Sequence, residues 1–77
     1  MIKLSSDWAR FLVNQPETGM DYQIASVFLK NGQKFDQVVI VGGHITQIKG
    51  IKGIPFCADE IAEILITHDK WDFNAEQ

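Results

Sequence analysis

His44, His68, Asp69 and Cys57 are the side chains of this sequence best suited to bind a metal or to act as a nucleophile. Zinc centres gather ligands through spacings such as CxxC or HxxxH, which let one loop or helix turn present two donors to one ion. Neither spacing occurs here. His68 and Asp69 are adjacent, so on a strand their side chains point to opposite faces and form no dyad. His44 directly follows Gly42-Gly43 and reads as the flank of a turn, where polar residues are common. Cys57, beside Phe56, reads as a small core residue rather than a reactive thiol. Glu60 and Glu63 have the composition of a general acid–base pair, but acids at the border of an element ordinarily face water. No glycine-rich loop follows a strand and opens a helix, the arrangement that cradles phosphates. The expectation is a non-enzymatic chain with no catalytic residue, no cofactor and no metal.

The lysines offer a different chemistry. Lys30, Lys34, Lys49 and Lys52 stand against Asp36 alone, giving residues 30–52 a net charge of +3. Lys-Gly pairs place backbone amides and an ammonium near an anion, and Tyr22 or Phe35 would offer a stacking surface for a base. These four lysines are the candidate anion or nucleic-acid contacts. Against that, the chain as a whole carries −3, which makes nucleic acid the less expected partner. Residues 1–29 sum to −1 and residues 53–77 to −5. Segments of opposite sign more often neutralise each other, within the fold or between subunits, than mark a site.

The elements that must position these residues are organised around Tyr22–Ile48. Asn31-Gly32 separates two β-rich runs, and Asn-Gly is the preferred two-residue type I′ turn. That turn sets Lys30 opposite Gln33, Phe28 opposite Phe35, Val27 opposite Asp36, Ala25 opposite Val38 and Ile24 opposite Val39. Gly42-Gly43 turns the chain again, with Val41 opposite His44, Ile40 opposite Ile45 and Val39 opposite Thr46. One face then carries Ile24, Phe28, Phe35, Val39, Val41 and Ile48; the other carries Ala25, Val27, Leu29, Val38, Ile40 and Ile45.

Upstream, Ser5-Ser6-Asp7 precedes Trp8, Phe11 and Leu12 at helical spacing, which predicts a short helix over about 6–13 that ends at Asn14. Leu4 is placed to staple onto it. Its Trp8/Phe11/Leu12 face must dock, as a lid on the sheet or against a partner. Met20, in the polar connector 15–21, starts the first strand or fills a gap beside the helix. Downstream, 54–56 reads as a short closing strand. Residues 58–69 are ambiguous between helical spacing and alternation. The β-branched run Ile64–Thr67 favours a turn at 58–60 and a strand over about 61–68, with a second helix at 58–68 as the alternative. Trp71 and Phe73, in the tail 70–77, fall on one side of an extended chain and cover an edge or core opening. The fold class is mainly β with an α+β margin: a short helix, then a curled antiparallel sheet or small barrel of about five strands.

Seventy-seven residues make one domain, and a chain of this size buries only about 60–65% of its unfolded surface. A single cysteine forms no internal disulfide and fits a reducing compartment. No apolar run approaches the length of about 20 residues that a membrane helix needs. The chain is expected to be complete, cytoplasmic and without membrane contact. With both sheet faces apolar in their middle, a partner is expected to cover what the helix and tail do not. The first expectation is a homo-oligomer, a dimer above other states, with an unidentified protein partner as the alternative. Trp8, Phe11, Trp71 and Phe73 are the candidate interaction surface.

The segments LKNG (Leu29–Gly32) and IKG (Ile48–Gly50) resemble the two signature segments of Sm-like RNA-binding barrels, although the acid and asparagine pattern of that family is absent. The resemblance implies an initial helix, a strongly bent five-strand sheet and assembly into rings. Nearly the whole chain also resembles short bacterial proteins with a GMxYQ…LKxG…IPF…THDKW layout. That likeness is carried by Gly19–Gln23, Leu29–Gly32, Ile54–Phe56 and Thr67–Trp71, and it implies no activity.

Overall fold

The Ser5 side chain accepts a hydrogen bond from the Trp8 amide, and Asp7 sets a negative charge in the first turn, where the helix dipole favours it. Helix α1 runs Ser6–Val13 and ends at Asn14, as the spacing predicts. The computed structural model describes residues 1–74. Among them the strands are β1 (Ile2–Lys3), β2 (Gln23–Leu29), β3 (Lys34–Val41), β4 (His44–Ile48) and β5 (Ile61–Ile66). They form one antiparallel sheet in the order β1-β4-β3-β2-β5, curled into a half-barrel. The fold is mainly β, with 58–60 a 3-10 turn leading into β5 rather than a second α-helix.

Gly42 and Gly43 both take positive φ, at +53° and +77°, and Val41/His44 and Ile40/Ile45 pair as a two-residue turn requires. The Asn31-Gly32 turn departs from its prediction. Gly32 alone is left-handed, at φ +91°. Its amide donates to Leu29 O at 3.0 Å and the Leu29 amide donates to Gln33 O at 2.8 Å. The loop therefore has three residues, a type I turn followed by a left-handed glycine. Asn31 Oδ1 takes the Gln33 amide at 3.0 Å, a local bond that holds asparagine in the turn without positive φ. Phe28 consequently faces Lys34 and Val27 faces Phe35, so the Phe28/Phe35 and Val27/Asp36 pairs do not form. A bulge between Ala25 and Val27 then restores Ala25/Val38 and Ile24/Val39, with Gln37 in the left-handed region at φ +54°. A further irregularity in β3–β4 moves Val39 from Thr46 to Gln47.

Those bulges decide which face each side chain meets, because one extra residue flips the alternation. Ala25, Val27, Leu29, Val38, Ile40 and Ile45 form the inner core, as the alternation predicts. Ile48 and Phe35 join them, from the face assigned to the other side. Leu4 and Leu12 close one side of this core, and Phe56, Ile61 and Ile64 the other. Full burial stabilises each such side chain by about 1.5–3 kcal/mol over its exposed state. Ile24 and Val39, paired across β2 and β3, are also fully buried, but outside this cluster. The tail crosses on that outer side: Trp71 Nε1 donates to Gln37 O at 2.9 Å, and Phe73 meets Tyr22 edge-on at 5.0 Å.

Three further expectations are corrected. Residues 54–56 form no strand: Pro55 lacks a ladder donor, and the segment instead delivers Phe56 into the core as irregular chain. Phe56 takes the buried position, so Cys57 is exposed. Met20 is 88% exposed and fills no gap, because the Gly19–Tyr22 bridge turns it outward. Of the tail 70–77, residues 75–77 lie outside the described residues.

Candidate functional site

The residues with chemistry in their side chains are held apart. His44 Nδ1 donates to Gly42 O at 3.0 Å inside its own turn. His68, left-handed at φ +58°, places Nδ1 2.6 Å from Thr18 Oγ1, which also accepts the Ile24 amide at 2.8 Å. That contact ties the tail to the 15–21 connector. Glu60 Oε1 accepts the Cys57 amide at 2.7 Å, while Glu63 stands exposed on β5. Among the described residues no group of three or more His, Cys, Asp or Glu gathers as a metal site would require.

The four lysines fall into two groups. Lys30 and Lys34 flank the β2–β3 turn; Lys49 and Lys52 lie in the connection after β4. Lys34 is engaged, with Nζ 3.4 Å from Asp36 Oδ1 and 5.5 Å from the centre of the Phe28 ring. The hydroxyl of buried Ser26 donates to Asp36 Oδ1 at 2.6 Å. That bond and the nearby Lys34 ammonium hold the Asp36 carboxyl below its ordinary pKa, against a smaller upward push from desolvation. Lys52 shares a shallow groove with Gly50, Gly53 and Trp71.

The aromatic candidates form two pairs on opposite sides of the sheet. Trp8 and Phe11 meet edge-on at 5.7 Å on α1, over the inner core, with Phe11 38% exposed. Trp71 and Phe73 meet edge-on at 5.8 Å on the outer side. Both pairs cover the sheet of their own chain and do not make one surface. The apolar faces that alternation leaves bare are thereby covered from within.

Two features that need the topology to be seen remain open. Among the described residues β5 is an edge strand that pairs with β2 alone. Among the described residues, the outer side of its backbone has no hydrogen-bond partner. It carries no Lys or Pro, the usual guards of an exposed edge; Glu63 is its one charged residue, and Leu65 projects from it 53% exposed. The second is a groove of about 650 Å³ between α1 with its following connector and the Gly42-Gly43 turn. Leu12 and Ile40 form its floor, and among the described residues Glu17 and Asp21 are its acidic lining residues. Neither feature follows from spacing, since edge position and groove walls come from which strands meet. The one signal in the sequence was the pair of acids on either side of the Thr18-Gly19 turn.

The comparisons return nothing: no family model, curated protein or solved structure matches this chain. Among the described residues no helix is long and apolar enough to cross a membrane.

Proposed function

We propose that this protein is a non-enzymatic interaction module that self-associates, as a symmetric dimer, by pairing β5 with β5 of a second copy. The observation that carries this reading is the unpaired outer edge of Ile61–Ile66. Backbone donors and acceptors left on such an edge are a template for another strand. A two-fold axis across an antiparallel β5–β5 pair lets the same edge serve both copies. Leu65 of each copy then loses water on joining its counterpart. Because both sheet faces are already covered, the edge replaces the faces as the surface for association. The lysine patch as an RNA or anion surface draws less support, since Lys34 is held by Asp36 and the other three lysines are split between two elements.

Hydrogen exchange at two chain concentrations tests the reading. Outward-facing β5 amides are expected to exchange more slowly in concentrated protein than in dilute protein, while β2 and β3 amides are unchanged. Equal exchange of β5 at both concentrations contradicts it.

A further inference from the structure

Most charges among the described residues are not paired between segments. Among the described residues the ion pairs are Arg10–Asp7 and Lys34–Asp36, each inside one short segment. Among the described residues Lys49 and Lys52 have no carboxylate partner, and Glu17 and Asp21 have no cationic one. Each uncompensated pair borders an apolar feature. Glu17 and Asp21 line the groove that Leu12, Ile40 and the exposed Val13 make apolar. Lys49 and Lys52 flank Ile51, which is 38% exposed on a turn closed by its own amide donating to Ile48 O at 3.1 Å. Gly50 holds that turn at φ +78°, so the loop is formed before any partner arrives and loses little entropy on docking.

We propose that the Lys49–Lys52 loop of one copy docks in the Glu17/Asp21 groove of another, with Ile51 on the apolar floor and the two ammonium groups against the two carboxylates. The groove volume, about 650 Å³, lies in the range of about 300–1,000 Å³ that takes a compact ligand or a few side chains. The groove sits beside the β3–β4 turn, and the loop leaves the opposite end of β4. Groove and loop are thus different surfaces at opposite ends of the sheet, and the contact is heterologous, running head to tail. It rests on the self-association reading only in naming a second copy as the partner. It uses none of the β5 edge, and it joins dimers into larger assemblies.

Charge reversal with complementary mixing tests it, read by sedimentation velocity at several salt concentrations. One variant carries Lys49→Glu with Lys52→Glu. The other carries Glu17→Arg with Asp21→Asn, asparagine being chosen because Asp21 is left-handed at φ +68° and asparagine tolerates that region. Each variant alone is expected to associate about tenfold more weakly in the head-to-tail step, the scale of two exposed ion pairs lost and replaced by repulsion. A 1:1 mixture, in which every groove finds an oppositely charged loop, restores assembly, and added salt weakens it. Unchanged sedimentation of both variants, or no restoration on mixing, overturns the proposal. Leu65→Lys separates the two contacts, because it blocks the β5 edge and leaves the mixing effect intact. Loss of mixing with a surviving Leu65-sensitive dimer overturns the loop–groove contact alone.

Discussion

Gln23 Nε2 donates to Leu12 O at 2.9 Å, a bond from the first residue of β2 to the last turn of α1. The same nitrogen lies 3.3 Å from Gln15 O and from Pro16 O. Helix ends leave carbonyls without intrahelical partners; Leu12 O takes the Gln15 amide at 3.0 Å, and this buried side-chain amide supplies a second donor from the sheet. It fixes where the helix lies over the inner core, and it explains why a polar side chain stands at a core-facing position.

Gln23→Leu keeps the volume and removes the donor. It is expected to destabilise the fold by about 0.5–1.5 kcal/mol, the net worth of the lost hydrogen bond, since Leu12 O keeps the Gln15 amide at 3.0 Å. Urea unfolding with an unchanged m-value is the measurement, and wild-type stability would refute the capping role.

Gly32→Ala tests the three-residue turn. A side chain there meets open space but must hold φ +91°, so the cost is conformational, about 1–2 kcal/mol. Gly32→Asn is expected to cost less, since asparagine visits this region more readily. Thermal melts that rank alanine and asparagine equal to glycine would contradict the turn.

The inner face was legible because its six apolar residues lie on stretches that keep one alternation between the bulges. The register at Ala25/Val38 was predicted through a turn of the wrong length, and it survives because the bulge at Gln37 cancels that one-residue error. Phe35 was assigned to the wrong face because that bulge flips it, and Ile48 because the separate irregularity between β3 and β4 adds a residue after Ile45. Helix α1 was legible to its last residue, because cap, first-turn acid and apolar spacing agree. β1 was not, since two residues give no periodicity. Of the candidate site residues, the sequence marked the lysines and aromatics by type. It held no signal for the open β5 edge, which depends on the last strand pairing with the first strand of the meander.

Asp36 makes stability depend on pH in the acid range. Its folded pKa is lowered by the Ser26 hydroxyl and by Lys34. The stabilisation is therefore fully present above the unfolded carboxylate value of about 3.9 and is lost as pH falls through the lower folded value. Ser26→Ala should flatten this acid-side loss in unfolding midpoints collected across that window. An acid limb identical to wild type would contradict the assignment.

Trp71→Ala removes the tail's bond to Gln37 O and its edge contact with Phe73. For a half-buried indole the expected loss is about 2 kcal/mol, below the range for a fully buried ring. Faster exchange of the Ile24 and Val39 amides should accompany it, since the tail covers that side of the sheet. Protection unchanged at both residues would show that something other than the tail covers them.

Light scattering on the purified chain at micromolar concentration tests the central claim most directly. The account predicts a mass of about twice the 8.7 kDa chain or above, falling for Leu65→Lys as like charges meet across the two-fold axis. A wild-type protein that elutes at 8.7 kDa, with Leu65→Lys indistinguishable from it, would contradict the account.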